Sequence, residues 1–178
     1  MRILSFICGG VFGGLWAIVC LWLQNSEIWW SIVGLDFESW IMRKGLRIRG
    51  KGINPVVRKS VVRFVAWLRV QMDFPVRVPV NLSANEHIIN MKGERVAATF
   101  FAPFDPTVEP FIRVSTGDYS ATRRRRGRDN ALASILCSVA HELVHYQQWL
   151  DGKYFCESEA VRGAAKRVRE YSKTVRHP

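Results

Sequence analysis

Ala140-His141-Glu142-Leu143-Val144-His145-Tyr146 is the stretch that decides how the chain is read. It closes an apolar run, Ala131 to Ala140, that is rich in good helix formers and free of Pro and Gly, which predicts a helix. Asp129 or Asn130 stands just before the run as its N-cap. Leu132, Leu136, Val139, Leu143 and Val144 recur at helical spacing and give that helix a buried back. His141 and His145, four apart, lie about 40° from one another around the axis. Two imidazoles so placed grip one metal ion together.

Glu142 follows the first histidine and points aside from both, yet it reaches a water held by the same ion. This H-E-x-x-H arrangement makes the glutamate a general base and not a ligand. The plainer reading, two satisfied core histidines, needs separate buried partners for His141, Glu142 and His145. Catalytic zinc takes three protein ligands and a water. The nearest downstream carboxylates are Glu157 and Glu159, in Cys156-Glu157-Ser158-Glu159-Ala160. Cys137, one turn before His141, is a rival ligand or a small buried residue. Gln148 points within about 20° of His141 and lines the cleft with no role in the chemistry.

Beyond the motif, Asp151-Gly152 breaks the helix, and a last helix runs from Glu157 to about Tyr171. For the Glu157 carboxylate to reach back, the motif helix must end soon after Gln148, with residues 149–155 as a tight crossing loop. Upstream, residues 54–72 carry Val57, Val61, Phe64, Val65 and Leu68 at helical spacing, with Pro55 in the first turn. Residues 75–81, 95–101 and 111–115 read as three strands, and Pro79 predicts an edge position or a bulge for the first. Residues 116–130 read as a polar loop. It holds five arginines within Arg123–Arg128, suited to phosphate of anionic lipid or nucleic acid, or simply solvated. Helices and strands in this order predict an α+β fold.

The first 42 residues differ in kind. They hold one base, Arg2, and three acids, whereas residues 43–178 hold 25 bases and 12 acids, a net of +13. Residues 3–23 are 21 uncharged, largely apolar residues with no small-x-small cleavage site after them, which predicts an uncleaved transmembrane anchor over residues 1–24. Gly9, Gly10, Gly13 and Gly14 form two G-x-x-x-G pairs in it, an opening for a homodimer. Five of the seven tryptophans fall in the first 40 residues, and those after the span suit a headgroup region. Residues 25–53 thus read as an interfacial and basic juxtamembrane segment, and residues 54–178 as the catalytic domain. Arg43, Lys44, Arg47, Arg49 and Lys51 place that domain on the cytoplasmic side of a single-pass protein. Met42-Arg43-Lys44 also resembles the start of a soluble protein. Cys8 and Cys20 would stand about 18 Å apart on a helix, too far to pair, and free thiols fit a reducing compartment.

The motif, with Glu157-Ser158-Glu159-Ala160 behind it, resembles the zincin metallopeptidases. Within them it is similar to the gluzincins, whose third ligand is a Glu on the next helix. The resemblance covers residues 54–171 and implies a minimal domain of helix, three-stranded sheet, motif helix and ligand helix. It implies zinc on His141, His145 and Glu157, with Glu159 the rival third ligand. It also implies hydrolysis of a peptide or protein substrate by a zinc-activated water, Glu142 acting as general base. Val161 stands where that family often has Asp, so the hydrogen bond that orients a ligand histidine has to come from elsewhere. Residues 111–115 match the family's exposed edge strand, on which substrate adds as a further strand. Tyr119, Tyr154, Tyr171 and His177 are the candidates for an oxyanion partner. Two other readings remain: a nucleic-acid-associated protein using Arg123–Arg128, as in SprT-like enzymes, and a zinc-holding, membrane-tethered module that cleaves nothing.

Overall fold

The β-branched runs of the sequence form a small sheet, and the motif helix lies across it. The computed structural model describes residues 44–105 and 108–176, to which every structural statement refers. In chain order the elements are β1 (Leu46–Arg49), α1 (Pro55–Gln71), β2 (Val78–Ser83), β3 (Ile88–Ile89), β4 (Arg95–Val96) and β5 (Ala98–Phe101). Then come β6 (Phe111–Ser115), α2 (Tyr119–Arg126), α3 (Arg128–Leu150) and α4 (Glu157–Ser172). The fold is α+β. The main sheet has the order β1-β2-β6-β5, with β1, β2 and β6 parallel and β5 antiparallel to β6. β3 and β4 form a separate short antiparallel pair.

Local chemistry accounts for most boundaries. Asn54 caps α1, its side chain accepting from the Val56 N–H at 3.0 Å, and Pro55 takes the first helical position. Val57, Phe64 and Leu68 of α1 are completely buried and meet Val78 and Val80 of β2, Ile112 of β6 and Leu132 and Leu136 of α3 in one core. Each such side chain contributes about 1.5–3 kcal/mol by leaving water. Tyr146 pins α3 from below. Its hydroxyl donates to the Val76 carbonyl at 2.6 Å, and burial pushes its pKa up to about 12.

Several expectations need correction. The sheet has four strands, not three, because Leu46–Arg49 of the predicted juxtamembrane segment form β1. β2 is not an edge, since it lies between β1 and β6. Pro79 is tolerated there because the Val78 N–H faces β1, donating to Gly45 at 3.1 Å, while the Pro79 nitrogen faces the other way. On that side the pairing with β6 begins only at Val80. The predicted strand 95–101 breaks at Ala97, so that β4 leaves for β3 while β5 stays. Residues 116–130 are not a loop. The arginine run forms α2, and Gly127, at φ +82°, separates it from α3. Neither Asp129 nor Asn130 caps α3, which starts at Arg128; the Asn130 amide donates back to the Arg126 carbonyl at 2.8 Å.

The anchor (residues 1–24, with residues 3–23 as the span), the Gly9–Gly14 dimer face, the interfacial residues up to 43 and His177 lie outside the described residues. Among the described residues no helix is long and apolar enough to cross a membrane.

Candidate metal centre

α3 carries His141 and His145 on one face, and the question is how Glu157 comes to join them. The helix does not stop at Gln148 as its reach seemed to require; it runs on to Leu150. It then ends in a Schellman motif. Gly152, at φ +64°, donates to the Trp149 carbonyl at 3.1 Å, and Lys153 donates to the Gln148 carbonyl at 2.8 Å. The chain comes straight back, and the Cys156 N–H meets the Gln148 side-chain oxygen at 3.2 Å. Glu157 opens α4, and the length of its side chain covers the remaining step to the histidines. A strip of small residues lets α4 lie close: a Cβ at Gly163 would stand 2.8 Å from a Val144 methyl.

The result is a convergence of three side chains. His141 Nε2 stands 3.2 Å from one Glu157 oxygen, His145 Nε2 3.2 Å from the other, and the two Nε2 atoms are 3.2 Å apart. His141, His145 and Glu157 form a group able to hold a metal ion, and neither Cys137 nor Glu159 belongs to it. Ligand atoms about 2.0–2.1 Å from a tetrahedral zinc stand about 3.3 Å from each other, so the spacing fits that ion. The donor chemistry fits too. His145 Nδ1–H donates to Gln148 Oε1 at 2.9 Å, an oxygen that only accepts, which leaves Nε2 as the ring nitrogen that faces His141 and Glu157. Burial, and then the neighbouring His145, lower the His141 pKa, which keeps that ring an unprotonated ligand.

Gln148, expected to line the cleft with no role in the chemistry, is not among the residues that line it and is instead bonded to His145. It is only 4 % exposed. Its oxygen accepts from His145 and from Cys156, while its nitrogen donates to Glu159 at 3.0 Å and to the Cys156 carbonyl at 3.4 Å. It therefore fixes the His145 ring and fastens the start of α4 beside it, the contact by which a carboxylate or carbonyl elsewhere orients a metal-binding histidine. The available signal was its place three residues after His145, on the turn that α4 has to meet. The same contact explains Glu159, whose carboxylate is held by Gln148 and not by the histidines.

Glu142 is buried beside the cluster at 6 % exposure. Burial, then the charge of Glu157, push its pKa up to about 7, against a hydrogen bond from the Phe100 backbone. That N–H belongs to the free edge of the sheet. Ser115 donates to the Ala97 carbonyl at 2.8 Å, so odd-numbered residues of β5 bond β6 and the N–H and C=O groups of Ala98 and Phe100 face outward. The exposed edge next to the histidines is thus β5, and not residues 111–115, which sit inside the sheet as β6. Beside Glu142 a cleft of about 450 Å³ is lined by Ala97, Ala98, Ser134, Cys137, Ser138 and His141. Cys137 is a half-buried wall residue whose thiol burial pushes up, and not a ligand. On the other side the Phe155 ring lies 5.1 Å from His145 and 6.1 Å from Phe100.

The remaining sequence candidates fall elsewhere. Tyr119 is buried in the core and Tyr171 is buried against Phe64 and Trp67, so neither reaches the site; Tyr154 is exposed. Arg123–Arg126 and Arg128 are exposed at the junction of α2 and α3. Comparison of the chain with protein-family models, with curated proteins and with solved structures finds no match.

Proposed function

We propose that this protein is a zinc-dependent metallopeptidase of the zincin type, tethered to a membrane through residues 3–23. The observation that carries the reading is the meeting of His141, His145 and Glu157 within 3.2 Å contacts, with a buried carboxyl group on the adjacent residue.

His141, His145 and Glu157 would hold the ion, and Gln148, through its contact with Nδ1, would keep His145 Nε2 turned toward it. Zinc supplies a Lewis acid that polarises a carbonyl and acidifies a water. Glu142 accepts the proton at its carboxylate and passes it to the leaving amine. Burial raises the carboxyl's pKa from the ordinary carboxylate range, the direction that suits a group required to take up a proton and then release it. A peptide substrate lies as an added strand along β5, bonded to the outward groups of Ala98 and to the Phe100 carbonyl, which brings its backbone past Glu142, the partner of the Phe100 N–H. The small side chains of the cleft and the Phe155–Phe100 wall flank its two directions.

Zinc content and cleavage of a peptide library, measured on the full chain, test this. The wild type and Glu159→Ala are expected to retain one zinc, and Glu157→Ala to lose it. Glu142→Gln is expected to keep zinc while turnover falls by about 10²–10⁴-fold, the usual contribution of a general base. Full activity in Glu142→Gln ends the proposal. Stoichiometric zinc without turnover in the wild type favours instead a tethered zinc module. Salt-sensitive DNA binding that depends on Arg123–Arg128 favours a nucleic-acid role.

A further inference from the structure

The groove beside Glu142 has two unlike ends. β5 and α3 run the same way along it. Ala97 and Ala98 line the cleft with Ser134, Cys137 and Ser138, and further along β5 the Phe100 ring lies 6.1 Å from those of Tyr146 and Trp149. Past Phe100 the walls are aromatic, with the Phe155 ring 6.1 Å away and Tyr154 exposed beside it in the chain.

The other end is basic. Asn130 stands four residues before Ser134, on the same face of α3 as the cleft wall. Its exposed side chain donates to the Arg126 carbonyl at 2.8 Å, which seats the end of α2 where that wall begins. Arg123–Arg126 and Arg128 are all exposed, and Asp129 is the one acid between Tyr119 and His141. Five guanidinium groups thus stand against one carboxylate. The wall between them and the histidines is neutral, and its hydroxyl groups are spent within the helix. Ser134 donates to the Ala131 carbonyl at 2.9 Å and Ser138 to the Ser134 carbonyl at 3.2 Å. No aromatic residue lies between Ser120 and Ala140, so this stretch has no ring on which a nucleic-acid base would stack. Arg128 is 13 residues before His141, about 20 Å along the axis. That is the length of about six residues of extended peptide.

We propose that the arginines at the α2–α3 junction select the substrate, a peptide with acidic residues about five or six positions from the cleaved bond, on the side that lies toward Ala97. The inference rests on the metallopeptidase reading and deepens it by naming the substrate class. Carboxylates of such a peptide meet Arg126 and Arg128 where the added strand leaves β5, far from the reacting atoms. A contact so remote holds substrate and transition state alike, so it lowers KM and leaves kcat unchanged. Salt screens it, because it is made at the surface.

A peptide that the full, zinc-loaded chain cleaves is remade with Glu, Gln or Lys at the fifth and sixth positions on each side of the cleaved bond. On one side only, Glu is expected to raise kcat/KM over Gln by about fivefold at low salt, through KM, and Lys to lower it. The gain is expected to fade by about 0.5 M salt. Arg126→Glu/Arg128→Glu is expected to prefer Lys there. The milder Arg126→Gln/Arg128→Gln is expected to lose the preference while zinc content and cleavage of the Gln peptide stay unchanged. Lys59→Glu/Arg162→Glu alters exposed bases on α1 and α4 and shifts the net charge as much as the first variant does. It is expected to keep the preference. Equal gains on both sides, no gain on either, or a preference that survives in the junction variants overturns this inference and leaves the peptidase reading standing. So does an oligonucleotide bound through Arg126 and Arg128 with no acidic preference in cleavage. Failure to cleave any peptide overturns both.

Discussion

From Arg128 to Ala140 every buried residue of α3 is apolar, namely Ala131, Leu132, Ile135, Leu136, Val139 and Ala140. From His141 to Leu150 the buried set includes Glu142, His145 and Gln148 among Leu143, Val144 and Tyr146. One continuous helix thus holds an ordinary core segment and a segment that keeps polar atoms away from water. The first half stabilises the fold through area removed from solvent. The second half gives some of that stability up, since a carboxyl group at 6 % exposure is desolvated and stands near a second carboxylate. Where a helix carries polar side chains that no packing argument requires, chemistry is the reason to look for.

The sharpest way to break this contrast is to cut into each half. Leu136→Ala, at 1 % exposure in the first half, is expected to destabilise the full chain by about 2–5 kcal/mol in denaturant unfolding. A loss near zero would mean that the first half is not the structural one.

The second half should respond in the opposite sense, through pH. The Glu142 carboxyl is raised from 4.5 to about 7 in the folded state. Below about pH 4.5 the group is protonated in both states, and the stability it provides is fully present. As pH rises toward 7 the unfolded chain releases the proton and the folded one does not, so that stability is lost, in total about 3 kcal/mol. Metal-free Glu142→Gln is therefore expected to be more stable than metal-free wild type at pH 8 by up to that amount, the difference vanishing near pH 4. A constant difference across pH would show that the carboxyl is not held protonated.

Gln148→Ala gives the smallest effect and sharpens the comparison most. Zinc affinity is expected to fall about 10–100-fold, as for other residues that orient a ligand histidine. Competition with a fluorescent chelator reads this directly. Unchanged affinity would leave Gln148 as no more than a clasp for the start of α4.

How much of this was legible beforehand follows from the type of signal. The His141–His145 pair and Glu142 were readable because four-residue spacing on a helix is a geometric statement in itself. Glu157 was readable only as one of two acids, because the choice rests on Gln148 occupying Glu159 through a contact that no local pattern announces. α1 and β6 were visible from their periodicity, and β6 matches residues 111–115 at both ends. β1 was hidden because Leu46 and Ile48 alternate with Arg47 and Arg49 over only four residues, so charge masked the period of two. α2 was hidden for a related reason. Only Tyr119 and Thr122 face inward, which is too sparse for an apolar repeat, although arginine itself is a good helix former. The free edge at β5 could not be read at all, since strand order belongs to the assembled sheet.

Gly163 has a consequence beyond close packing. The interval between α3 and α4 is set where Gly163 meets Val144, near the middle of α4 and next to His145 on α3, whereas the proposed ion would be held at the start of α4, by atoms that have to agree to within tenths of an ångström. That contact works as a calliper. A methyl group added there would push Glu157 away from His141 and His145, so on the proposed reading the affinity for a metal would report on the packing of α4 six residues beyond Glu157.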